Sequence, residues 1–228
     1  MTENHWAPPA PEMVSKAKER ALAAMRSPEA GRKLRRFYDT STDYAGSSFT
    51  MIGVNSPDRI GADDLFATTL LSVKVPAKAA RLLTGEGPVR RDVSSALGAL
   101  PSGPLEKVDD AGLAAMEAFY LHVKHNLAKA NVKKSNAWVV ASKLCARKRP
   151  DLFPVRDNVV CRLLDIQRAN NFRVDWLVFA SLMSDQDVRD AIESVRDDVA
   201  GAGDATVVLD AEPLRLLDAA LWSSVKIA

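Results

Sequence analysis

Residues 150–164 read PDLFPVRDNVVCRLL, and this stretch decides where an extended segment stops and a helix begins. Pro154 has no amide hydrogen and biases Phe153 toward an extended backbone, so LFPV is a lead-in rather than helix. Asp157 then falls at the N-cap position. Val159, Val160, Leu163, Leu164 and Ile166 follow at spacings that bury one helix face, with Arg156 and Arg162 outside it. A helix is therefore expected over 158–169. As a cap alone, Asp157 is worth about 1 kcal/mol.

Outward from this stretch the chain is mostly helical in pattern. Helices are expected over 12–25, 29–37, 76–83, 111–128, 136–146, 185–199 and 213–223. Another follows Ala62, Asp63 and Asp64, whose carboxylates suit a helix N-terminus ahead of LFATTLLSV. Residues 38–60 change to Ser, Thr, Gly and aromatic residues, which predicts a loop with a short strand at 49–54. TVVLD at 206–210 predicts a short edge strand, and Gly, Pro and Ser mark loops at 84–88 and 101–104. The fold class is mainly α, a compact multi-helix architecture. The domain reading is an N-terminal extension with the first helix over 1–28, then a single helical domain over 29–228. That domain has one lobe or two, with the cleft near Asp157.

With 228 residues, 47% hydrophobic and 26% charged, the chain can bury a real core. Its apolar runs, such as Val174 to Met183, fall short of the ~20 residues of a membrane span. No membrane partner is expected. MTENHWAPPAPEM lacks an export-signal pattern, which predicts a cytoplasmic location. Cys145 and Cys161 lie in helix-like segments and read as reduced core residues. Three histidines, His5, His122 and His125, form no ligand cluster, so neither metal nor cofactor is expected. The net charge of +2 decides little, whereas the stretch from Lys129 to Arg149 holds seven basic residues and no acidic one. It reads as a cationic surface, either a solvated helix face with a basic last turn or a contact for phosphates. Acidic residues concentrate instead after Asp175.

PVRDNVVCRLL, with Val160 three places and Arg162 five places after Asp157, resembles the segment around the catalytic aspartate of the HhH-GPD superfamily of DNA glycosylases. SNAWVVASKL at 135–144 is similar to the helix after that family's hairpin, and the resemblance covers roughly 111–168. It implies a helical glycosylase architecture, DNA as partner and Asp157 as the catalytic carboxylate. Backbone contacts are implied for Lys133, Lys134, Ser135, Lys143, Arg147, Lys148 and Arg162. The family's hairpin carries glycines that let amides approach phosphate, whereas LAKANVKKS at 127–135 has none. The Schiff-base lysine of bifunctional members falls near Ser135 here, which implies hydrolysis without strand cleavage, although Lys134 and Lys143 are close in sequence. The whole chain is also similar to an uncharacterised family of actinobacterial proteins, which implies no activity.

The chemistry asks for such a carboxylate independently of any family. Cleaving an N-glycosidic bond builds positive charge on the sugar, which an ionised carboxylate stabilises while it orients or deprotonates water. A helix N-terminus keeps the carboxylate ionised through its free amides and dipole. The base must leave the stack and enter an aromatic or apolar pocket, for which Tyr38, Tyr44, Phe49, Tyr120 and Trp138 are the candidate walls. Two function classes follow. One is a monofunctional DNA N-glycosylase acting on a damaged base or on modified foreign DNA such as that of a phage. The other is a non-catalytic nucleic-acid or protein interaction module in which Asp157 only caps a helix. The chain is expected to be a monomer.

Overall fold

The computed structural model describes residues 6–128, 137–201 and 205–228. In chain order its helices are α1 (Pro11–Met25), α2 (Ala30–Tyr38), α3 (Ser48–Met51), α4 (Ala62–Leu70), α5 (Ala77–Thr84), α6 (Pro88–Gly98), α7 (Asp110–Leu127), α8 (Trp138–Lys148), α9 (Asn158–Leu163), α10 (Phe172–Ser184), α11 (Gln186–Ala200) and α12 (Pro213–Lys226). The fold is mainly α, as the sequence predicts. The strand expected at 49–54 is instead α3 and a following turn, because Thr50, Met51 and Ile52 send their amides back to Ser47 and Ser48. The strand expected at 206–210 is reduced to a single bridge between Asp39 and Val207.

Several helices are started by their own side chains. Asp109 accepts the Gly112 amide at the head of α7, Asn171 the Arg173 amide at α10, and Asp185 the Val188 amide at α11. Pro opens α1, α6 and α12, where its missing amide hydrogen costs nothing. Two helices were not foreseen. The apolar run after Asn171 folds as α10, and the segment between the two expected loops folds as α6. α9 is shorter than the expected 158–169. It ends at Leu163, where Asp165 turns left-handed at φ 61°. The Ile166 amide then reaches Cys161 O (3.0 Å) and the Asp165 amide reaches Arg162 O (3.2 Å), the paired bonds of a helix stop usually built on glycine.

The chain divides into two compact units. The first contains residues 1–46, 105–107 and 156–228; the second contains 47–104 and 108–155. In the first unit α1 is no appendage. Its buried Ala17, Ala21 and Met25 belong to a core formed with α10, α11 and α12. The 3-10 turn Leu105–Lys107 adds buried Leu105 against α10. In the second unit α7 is the central rod. It buries Leu113, Met116, Phe119, Tyr120, Val123 and Leu127 at helical spacing, and packs on α5, α6 and α8. No helix among the described residues is long and apolar enough to cross a membrane.

Gly112 is one of the tight local constraints of the second unit. A Cβ there would lie 2.6 Å from Val108 Cγ1 and 3.1 Å from Pro101 Cγ. The β-branched Val108 cannot swing away freely. Gly112→Ala should therefore destabilise the protein by about 1–3 kcal/mol despite alanine's better helix propensity. Urea denaturation measures this, and an unchanged or higher midpoint would show that the first turn of α7 can shift.

Candidate functional site

The first unit resumes at Arg156, so Asp157 opens α9 directly after the chain returns from the second unit. Its Oδ1 accepts the Val159 amide at 2.8 Å, its backbone is extended, and the residue is half-buried. Val160 and Cys161 turn into the core while Arg162 stays exposed. The lead-in is fixed in the second unit. Leu152 to Val155 are buried, Ser142 Oγ donates to Pro154 O at 3.0 Å, and the Arg149 guanidinium holds Asp151 and Pro101 O.

Arg156 is buried, and its Nε donates to Asp175 Oδ2 in the first turn of α10. This pair was not singled out in the sequence. Burial pushes the Asp175 carboxyl up to about 6, against the opposing pull of Arg156. Burial, followed by the field of Asp175, raises the Cys161 thiol to about 12, and burial alone holds Cys145 well above its ordinary value. Both thiols stay protonated and unreactive near neutral pH. Among the described residues no group of three or more His, Cys, Asp or Glu is placed to hold a metal ion.

The basic stretch is corrected in its described part. Lys133, Lys134 and Ser135 lie outside the described residues. Residues 141–148 of α8 are buried all round, so Lys143, Arg147 and Lys148 do not form a phosphate-facing surface. Lys143 Nζ donates to Leu71 O at 2.7 Å. Arg147 is fully buried, with Nε on Asp64 Oδ1 (3.2 Å), Nη1 on Phe49 O (2.9 Å) and Nη2 on Ile52 O (2.7 Å). Lys148 Nζ donates to Ser56 O (2.5 Å), Arg59 O (2.7 Å) and Asp64 Oδ2 (2.9 Å). Burial, partly offset by Asp64, lowers the Lys148 pKa. Asp64 also accepts the Gly61 amide at 2.9 Å, so one carboxylate caps α4 and neutralises part of two buried cations.

The aromatic candidates divide between the units. Tyr38 is buried in the first unit with its hydroxyl donating to Asp210 Oδ2 at 2.8 Å, beside the buried Arg215 and Asp218 pair. Burial, then the Asp210 charge, raises its pKa well above the phenol value. Tyr44 is half-buried among Phe37 and Trp222, at ring distances of 6.3 and 6.0 Å. In the second unit Phe49 and Tyr120 are buried, whereas Trp138 is half-buried at the head of α8. Tyr38, Phe49 and Tyr120 are thus core side chains rather than open platforms. The structure places Arg162, Tyr38 and Tyr44 in the same unit as Asp157.

Residues 30–225 match the family of unknown function DUF6308, and the chain belongs to that family. No curated protein and no solved structure matches the chain. The match runs from the start of α2 to near the end of α12 and names no activity.

Two outcomes follow from these contacts. Asp64→Ala leaves the Arg147 and Lys148 charges buried without their carboxylate, and should lower stability by about 3–5 kcal/mol in urea denaturation. A loss below about 1 kcal/mol would mean that the carbonyls alone hold the two cations. For Asp175 the raised carboxyl means that its stabilising contribution is complete below its ordinary value of 3.8 and is lost as pH rises through about 6. The stability of the parent relative to Asp175→Asn should therefore rise by about 2 kcal/mol between pH 7 and pH 4. A constant difference over that range would place the Asp175 titration elsewhere.

Proposed function

We propose that the chain is a monofunctional DNA N-glycosylase that removes a damaged or modified base by hydrolysis, acting as a cytoplasmic monomer. The observation that carries this reading is the half-buried Asp157 carboxylate, held by the Val159 amide at the head of α9 within the glycosylase-like PVRDNVVCRLL pattern. In this reading the carboxylate stabilises the sugar cation and positions water for attack. Arg162, exposed one turn later in the same unit, supplies a backbone contact. Tyr44, in the same unit as Asp157, is the aromatic candidate that keeps some exposure for receiving an extruded base. Repair of damaged bases and attack on modified foreign DNA both fit this chemistry.

A second reading is a non-catalytic nucleic-acid or protein interaction module. The burial of Lys143, Arg147 and Lys148 favours its protein-interaction form, because α8 then offers phosphates little of the charge that the sequence suggested. On that reading Asp157 only caps α9.

The test is incubation with duplexes carrying a panel of modified bases and with phage genomic DNAs, scored for abasic sites. Asp157→Asn keeps a good cap and removes the charge. It should fold like the parent and lose base release on the order of a hundredfold or more. The product strand should stay intact until alkali is added, and borohydride should trap no covalent adduct. Full activity of Asp157→Asn on a proven substrate would end the catalytic assignment. A trapped adduct lost in Lys134→Ala or Lys143→Ala would replace hydrolysis with lyase chemistry.

A further inference from the structure

The residue immediately before Asp157 is anchored in a way that a simple cap does not require. Arg156 and Asp175 meet with side chains 7% and 1% exposed. Two apolar residues of similar volume would fill such a place at equal or lower cost, since desolvating an ion pair offsets most of its attraction. A directional bond does something that apolar packing does not: it fixes where one atom sits. Asp175 lies on a rigid support. α10 is capped by Asn171 and buries Trp176, Val178, Phe179, Leu182 and Met183. Arg156 and Asp157 are neighbours in the chain, with Cα atoms ~3.8 Å apart across one planar peptide.

From these contacts we infer that Asp175 is a positioning residue: through Arg156 it fixes the backbone that presents the Asp157 carboxylate at the head of α9. The inference rests on the reading of Asp157 as the catalytic carboxylate. It adds that carboxylate's dependence on a group that touches neither substrate nor the reacting atoms.

The groups around Asp175 make the dependence readable. Arg156 faces it directly, and from α9 the Cys161 thiol lies in the fields of Asp175, Arg156, Asp157 and Asp218. The thiol stays neutral over the working range because its pKa is pushed up to about 12. Among the elements packed on α10, α1 carries Lys16, Lys18 and Arg20, which pair with Asp165, Asp185 and Asp187. From α11, Arg189 donates to Met183 O and Gln186. The 3-10 turn at 105–107 contributes buried Leu105, with Glu106 and Lys107 beside it. Arg156 is the charge that acts on Asp175, whose carboxyl changes state at about 6. Above that pH the tether is an ion pair; below it, a weaker bond to a neutral acid.

The test uses the full chain, with carboxyl-carbon and amide-nitrogen labels followed by NMR from pH 4.5 to 8. The Asp175 carboxyl should titrate near 6, and the Asp157 carboxyl and Val159 amide should move with the same midpoint. In Asp175→Asn that step should vanish from both the Asp157 carboxyl and the Val159 amide. If the variant fails to fold, the parent titration decides alone: an Asp175 step without a matching step at Asp157 and Val159 overturns the inference. An unchanged step in Asp175→Asn overturns it as well. On a cleaved substrate, the parent's base release should fall on the acid side with this midpoint, and Asp175→Asn should lack that limb. The resonances need no substrate, so the two failures separate. A coupled titration with an active Asp157→Asn overturns only the catalytic reading. An inactive Asp157→Asn without coupling overturns only the positioning role.

Discussion

A buried cation must find its counter-charge and hydrogen-bond acceptors inside the protein, and the second unit is organised by that constraint at the last turn of α8. Arg147 and Lys148 are enclosed there, and between them they bond Asp64 and the carbonyls of Phe49, Ile52, Ser56 and Arg59. Those carbonyls belong to α3 and to the turns before α4, a stretch with no ladder to satisfy its backbone. The stretch therefore takes its shape from α8 rather than from its own propensity. Asn55 returns the contact by donating to Arg147 O at 2.8 Å, which closes the arrangement from both sides. Two cations and one carboxylate leave an excess positive charge, and the carbonyl dipoles are what make its burial tolerable.

This arrangement explains how the basic stretch was misread. A helix ending in Ala146, Arg147, Lys148 and Arg149 looks like a solvated last turn that complements its dipole, and local sequence offers nothing against that. The partner, Asp64, lies 83 residues earlier and looks like an ordinary first-turn acid of α4. Each half is locally conventional. Only the tertiary pairing shows that they neutralise one another, and one sequence contains no record of pairing. The same limit hid Arg156 and Asp175, which are 19 residues apart and meet only in the tertiary fold.

What was legible followed from short-range physics. Periodicity and capping located most helices because the energies involved act within a turn or two. Asp157 as the cap of α9 belongs to this class, and so does the extended lead-in set by Pro154. The misses have equally local causes. α9 stops at Leu163 because Asp165 adopts a left-handed conformation without glycine to announce it, helped by its ion pair with Lys16 at 2.6 Å. The aromatic residues of 38–54 suggested a strand, yet Phe49 is drawn into the core on a helical turn whose carbonyl serves Arg147.

A cap needs a carboxylate oxygen near one amide, and asparagine or serine would serve as well. The residue before Asp157 is more informative. Arg156 commits a buried guanidinium to Asp175, and burial raises that carboxyl toward neutrality even with the guanidinium beside it. The pair is thus a poor stabiliser, weakened by the desolvation that encloses it. Its directional contact lies one peptide from the only residue of α9 that is both a side-chain cap and part of the glycosylase-like pattern. An arrangement that gives up stability to fix an atom is better explained by a need for position than by folding, and under the proposed reading of Asp157 that need would come from holding a carboxylate beside a developing sugar cation.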